Sequence, residues 1–95
     1  MTKLSPQALE ESVKTLNAWE VIEGKLHKEL TFKDFISAFA FMTQVALVAE
    51  RDNHHPEWSN VYNRVVIDLI THESSGITQK DIKLAHFIDS ISQNN

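Results

Sequence analysis

The 95-residue chain holds five histidines, at positions 27, 54, 55, 72 and 86. Two of them stand side by side in Glu50-Arg51-Asp52-Asn53-His54-His55-Pro56-Glu57-Trp58. Adjacent imidazolium groups repel, so a proton on one discourages a proton on the other. A fold that needed only bulk would have no reason to choose this pair. Imidazole titrates near pH ~6.5 and can donate or accept a proton close to neutrality. The stretch therefore points to proton transfer or to metal binding. His72 opens the loop His72-Glu73-Ser74-Ser75-Gly76, and loops of this kind carry sites more often than strands do. His27, on the polar side of an expected strand, and His86, inside an expected helix, read as structural. A protonated histidine at a helix C-terminus is favoured by the macrodipole, which accounts for one of the pair at 54 and 55 but not for both.

Three histidines with Glu50, Asp52 and Glu57 nearby invite a zinc reading, since sites with three histidine ligands exist. Against it, side chains of adjacent residues diverge, and neither H-E-x-x-H nor His-x-His spacing occurs. Without cysteine, disulfides and cysteine-containing zinc sites are excluded. Acid/base work without a metal is the better reading. The chain has only Gly24 and Gly76 as glycines, too few for a phosphate-cradling loop, and it lacks a G-x-S-x-G elbow.

The elements that must hold these imidazoles can be read from spacing. Ser5 and Pro6 form an N-cap and first helical residue, followed by Leu9, Val13 and Leu16 at helical intervals. Residues 19–32 read as a hairpin turning at Glu23-Gly24, with Leu26, Leu30 and Phe32 on one face. The stretch 31–53 is the clearest helix. Phe35, Phe39, Met42, Ala46 and Ala49 form one apolar stripe, and Ile36, Ala40, Phe41 and Leu47 a second. Such breadth fits burial against a sheet and a neighbouring helix, or a subunit contact. Residues 60–71 are rich in β-branched side chains and read as strand. Val61, Val65, Ile67 and Leu69 share one parity, with either a turn at Asn63-Arg64 or one long bent strand. Thr78 caps a last helix with Asp81 at its third position, and Ile82, Leu84, Ala85, Ile88 and Ile91 line its buried side. Residues 93–95 are expected to fray.

The order is α-β-β-α-β-β-α, an α+β arrangement with an antiparallel sheet and helices packed on one face. Length implies a single domain, 1–95. Nine basic against thirteen acidic residues give a net charge of -4, which disfavours direct nucleic-acid binding or an anionic membrane surface as partner. With neither an apolar leader nor a membrane-length apolar run, a cytoplasmic location is expected.

The run Glu50-x3-His54-His55-Pro56-x5-Tyr62-x9-His72-x8-Asp81 resembles the signature of the pterin-4a-carbinolamine dehydratases. HHPEW, NVYN and TH-x3-G-I-T-x2-D-x2-LA occur at matching spacings, and the likeness runs from about residue 17 to the end. It implies a four-stranded antiparallel sheet with helices on one side. It implies a lyase that converts 4a-hydroxytetrahydropterin to quinonoid dihydropterin and water, regenerating a tetrahydrobiopterin-type cofactor, with no metal or organic cofactor of its own. It also implies a homodimer or homotetramer. Carried over, His54, His55 and His72 are the catalytic and pterin-contacting imidazoles. Glu50 and Asp81 fall on motif carboxylates, and Pro56 with Thr71, His72, Glu73 and Ser74 on substrate-binding stretches. Asp81 reads equally as a helix cap, and Trp19 and Trp58 as pocket lining or as core. Some members bind a transcription factor, so a protein-interaction module is the second reading. The expected partners are a pterin, a second copy of the chain, and a transcription factor or aromatic amino acid hydroxylase. If the source is eukaryotic, a nuclear location joins the cytoplasmic one.

Overall fold

The computed structural model describes residues 2–92. Helix α1 (Pro6–Val13) starts where expected, with the Ala8 N–H donating to Ser5 Oγ at 3.2 Å. Strands β1 (Glu20–Ile22) and β2 (Lys25–Thr31) follow. They are joined by Glu23 and Gly24, both at positive φ (51° and 78°), the pair of left-handed residues that a type I′ hairpin requires. Helix α2 (Phe35–Arg51) is capped by Asp34, whose Oδ1 accepts from the Ser37 N–H at 2.7 Å. Strands β3 (Glu57–Val61) and β4 (Arg64–Leu69) form a second hairpin. A single 3₁₀ turn, His72–Ser74, leads to helix α3 (Gln79–Ser92). The sheet order is β1-β2-β4-β3, antiparallel throughout. The expected α+β order and antiparallel sheet are both present, with the helices on one face.

Alternation along the strands divides the sheet into two faces. Leu26, Leu30, Val65, Ile67 and Leu69 are buried toward the helices and meet Phe41, Val45, Ile82, Leu84, Ala85 and Ile88. The Phe32 and Phe41 rings lie 5.0 Å apart. Lys28 shares the buried side of β2, and its Nζ donates to Asp89 Oδ1 at 2.8 Å. Asp89 also accepts from Trp19 Nε1 at 2.8 Å and from the Asn17 N–H at 2.9 Å. This buried charge is therefore compensated, and loss of one partner from such a pair costs about 3–5 kcal/mol. Trp19 is a core aromatic, and Trp58 packs against the same core. No helix among the described residues is long and apolar enough to cross a membrane.

Four expectations need revision or fall outside these residues. In α2 the stripe facing the core is Ala38, Phe41, Val45 and Ala49. Phe35, Phe39, Ile36 and Leu47 point outward, Ile36 being 77% exposed. A helix apolar on several sides carries no unique phase in its pattern. Here Ala38 and Ala49 face the core beside Phe41 and Val45, while the Phe35 and Phe39 rings are left outside. The β3–β4 connection is Tyr62-Asn63 rather than Asn63-Arg64, because Val61 pairs with Arg64. Asn60 Nδ2 braces this turn by donating to Tyr62 O and Arg64 O. The hairpin puts Asn60 opposite Val65, so Val61 falls on the outer face and is 73% exposed despite sharing the parity of the core residues. The expected fraying of residues 93–95 lies outside the described residues.

Candidate active site

The paired histidines leave α2 through a specific helix end. The Asn53 N–H donates to Glu50 O at 3.3 Å and the His54 N–H to Ala49 O at 3.0 Å, with Asn53 in the left-handed region (φ 51°). This is a Schellman motif, in which asparagine tolerates the left-handed position better than most residues. It turns the chain off the helix axis at His54. Pro56, which fixes its own φ, then delivers the chain into β3 at Glu57.

His54 Nε2 lies 2.6 Å from Asp81 Oδ1. Asp81 is fully buried at the start of α3. Its other oxygen, Oδ2, accepts from the Thr71 hydroxyl at 2.8 Å and the Thr78 N–H at 2.9 Å. The directions are consistent around the cluster. The Lys80 N–H donates to Thr78 Oγ1 at 3.2 Å, and the Thr78 and Thr71 hydroxyls are 2.7 Å apart. With the Thr71 hydrogen directed at Asp81, Thr78 is the donor to Thr71. Asp81 is thus both the cap of α3 and the partner of His54. No side-chain polar atom buried among the described residues lacks a partner.

Two further imidazoles meet carboxylates in the same way. His55 Nε2 is 3.1 Å from Glu50 Oε1, an exposed pair one turn back on α2. His72 Nε2 is 2.9 Å from Glu57 Oε2, while Glu57 Oε1 accepts from Lys25 Nζ at 2.6 Å. The Lys25 ammonium, with His72 adding to it, holds the Glu57 carboxyl below the usual carboxylate range against a smaller opposing cost of desolvation. A carboxylate only accepts, so each contact places the imidazole hydrogen on Nε2 and leaves Nδ1 as the nitrogen the carboxylate does not engage.

The loop that carries His72 is closed on itself. Thr71 and Gly76 exchange backbone hydrogen bonds of 3.0 and 3.4 Å, and Ser75 adopts φ 54°. Glu73 sits in this loop. Its own backbone N–H holds its carboxyl below the usual range, helped by the charges of Lys80, His54 and His72. Segment 54–57 is therefore tied to segment 71–81 twice, by His54 to Asp81 and by Glu57 to His72. Beside His54, between the end of α2 and the start of α3, lies a cleft of about 370 Å³, within the size range of small-molecule sites. Val48, Ala49, Asp52, Gln79, Lys80, Lys83 and Leu84 complete its lining. Of the expected site residues only His54 lines this cleft. His55 and His72 are on exposed surface, and Thr71 is buried beneath the loop. Among the described residues, no three histidine or carboxylate side chains converge as a metal site would need.

The profile of the family described as pterin 4 alpha carbinolamine dehydratase matches residues 2–91. A protein of Solibacter usitatus assigned to the pterin-4-alpha-carbinolamine dehydratases is 54% identical over 90 residues, covering 95% of each chain. The chain belongs to the pterin-4α-carbinolamine dehydratase family. A similarly assigned protein of Prochlorococcus marinus is 51% identical over 88 residues, 93% of this chain and 92% of the relative. The crystal structure of a transcriptional coactivator/pterin dehydratase from Brucella melitensis superposes with a TM-score of 0.93 at 41% identity, covering 96% of this chain and 99% of that one. As a pterin dehydratase, the chain is an enzyme of the lyase class.

Within this dehydratase, spacing in the sequence singled out the imidazoles but not what holds them. Glu57 was visible only as a carboxylate near the histidine pair, and Lys25 carried no signal at all, being 32 residues from Glu57. Thr78 was legible as a cap, though not as a link between Thr71 and the backbone of α3.

Proposed function

We propose that this chain dehydrates 4a-hydroxytetrahydropterin to quinonoid dihydropterin, recycling a tetrahydrobiopterin-type cofactor, with His54, His55 and His72 as the working imidazoles. The observation that supports this reading most is the shared arrangement of the three rings, each with Nε2 on a carboxylate. The reaction breaks the C4a–O bond with its electron pair going to oxygen. An imidazolium supplies the proton that makes the leaving group water. A neutral imidazole accepts the proton lost from the ring nitrogen side as the C=N bond forms. No electrons are gained or lost overall, and the reading assigns no step to a metal or organic cofactor. Glu50 and Asp81 orient His55 and His54. Pro56 and Thr71 to Ser74 form the stretches along which backbone groups bind the pterin. A general acid or base in such a role contributes typically ~10²–10⁴-fold.

The same reading takes residues 1–95 as one domain, acting in the cytoplasm as a homodimer or homotetramer. The outward apolar face of α2, with Phe35, Ile36, Phe39 and Leu47 exposed, supports the assembly, because large apolar patches are unusual on monomers. A second reading, a protein-interaction module, is favoured by that same face and by the coactivator description of the Brucella protein. A transcription factor or an aromatic amino acid hydroxylase would be the partner. Stopped-flow turnover of freshly generated 4a-hydroxytetrahydropterin tests the catalytic reading. Dehydration well above the spontaneous rate, unchanged after exhaustive chelation, is expected. A rate no faster than the spontaneous one overturns it, and activity lost with a stoichiometric metal overturns the metal-free part.

A further inference from the structure

One carboxylate joins three elements near His72. Lys25 begins β2, Glu57 begins β3, and His72 opens the turn after β4. Strands β2 and β3 are not neighbours, since β4 lies between them. Glu57 spans the gap, one oxygen on Lys25 Nζ at 2.6 Å and the other on His72 Nε2 at 2.9 Å. With both oxygens engaged, the carboxylate cannot rotate without losing a contact.

We propose that Lys25 and Glu57 are positioning residues for His72: Glu57, held in place by Lys25, fixes the ring with its hydrogen on Nε2 and keeps Nδ1 for the substrate. The His72 side chain is 73% exposed. Its contact with Glu57 is the one side-chain hydrogen bond found for it among the described residues. An exposed imidazole without such a restraint samples several rotamers and both neutral tautomers. Lys25 and Glu57 are themselves 34% and 40% exposed, so the pair adds little to stability. Its consequence is order at His72. Glu57, held by Lys25 further below the usual carboxylate range, is an acceptor throughout the pH range in which histidines titrate. The other charged groups beside the Lys25–Glu57–His72 run are Asp68 and Glu23, which act on Lys25, and Glu73 next to His72.

The kinetic arm rests on the proposed dehydration; the spectroscopic arm does not. In ¹⁵N-resolved NMR of the imidazoles, neutral His72 is expected as the Nε2–H form in the wild type. Glu57→Gln and Lys25→Met are expected to mix the two tautomers, and Lys25→Arg to restore the wild-type pattern. In turnover, Glu57→Gln should lower kcat by roughly 10- to 100-fold, the scale of a misplaced catalytic group, with a much smaller change in KM. Lys25→Met should show a smaller loss that Lys25→Arg recovers. Unchanged His72 spectra in both Glu57→Gln and Lys25→Met overturn the inference, even if His72→Ala is inactive and the dehydration stands. A tautomer shift in a chain that does not dehydrate the carbinolamine upholds the positioning and removes the proposed reaction instead.

Discussion

His54 Nε2 stands 2.6 Å from Asp81 Oδ1, and the carboxylate that receives it is fully buried while capping α3. One side chain therefore joins the stability of a helix to the orientation of an imidazole. Asp81→Asn keeps the size but replaces an acceptor with an amide nitrogen, leaving one of three donors without a partner. The expected stability loss is about 1–3 kcal/mol, read from the urea midpoint, together with a fall in kcat/KM. Thr71→Val removes a donor to Oδ2 but leaves the Oδ1 contact with His54 in place. It should lower stability with a smaller effect on kcat/KM. Equal losses of activity in the two variants would show that Asp81 acts only through the fold.

Replacing His54, His55 or His72 by alanine should lower kcat/KM, at least one of them by about 10²–10⁴-fold. An imidazole that mainly positions the pterin should raise KM instead, and losses in double variants should not multiply, because groups acting as a unit are non-additive. His27→Ala and His86→Ala are the controls. Their rings contact Asp68 and Glu29 in one case and Thr15 in the other, all outside the proposed site. Full activity in all three folded site variants would remove the assignment.

The outward face of α2 should be an interface between copies of the chain. Sedimentation at micromolar concentration is expected to give a dimer or larger. Phe39→Glu and Leu47→Glu, at positions 54% and 68% exposed, should shift the mass toward the monomer while the circular dichroism of the fold is kept. A monomeric wild type at those concentrations overturns the assembly.

His27 should make stability depend on pH. The hydrogen bond to Asp68, and then that to Glu29, raise its pKa above the ordinary 6.5, with desolvation opposing. A group whose folded-state pKa is raised contributes stability that is fully present below the unfolded value and is lost as pH rises through the folded value. The stability gap between the wild type and His27→Gln should thus be widest below pH 6.5 and close on the alkaline side. Urea titrations at about pH 5.5 and about pH 8.5 measure it. A gap that widens with pH contradicts the raised pKa.

What the sequence by itself determined was local. Ser5-Pro6, Glu23-Gly24 and the Thr78–Asp81 box each act within a few residues, and their backbone consequences are those the residue types impose. Element order follows from period and punctuation, and the histidine candidates from type and adjacency. Tertiary structure decided the rest. The phase of α2 could not be read from a helix apolar on several sides; it was set by which residues let the helix lie close to the sheet, Ala38 and Ala49 among them. The face taken by Val61 depended on whether the run turns at all: a two-residue turn pairs residues of opposite parity, Val61 with Arg64 and Asn60 with Val65, whereas one continuous strand would have kept Val61 on the side of Val65. The partner of each site imidazole depended on separation along the chain. Glu50 lies five residues from His55 and within reach of one helical end, whereas Asp81 lies 27 residues from His54 and Lys25 lies 32 from Glu57. Those last contacts exist only because the strand register and the closed loop after β4 bring distant segments together, and no local preference encodes them.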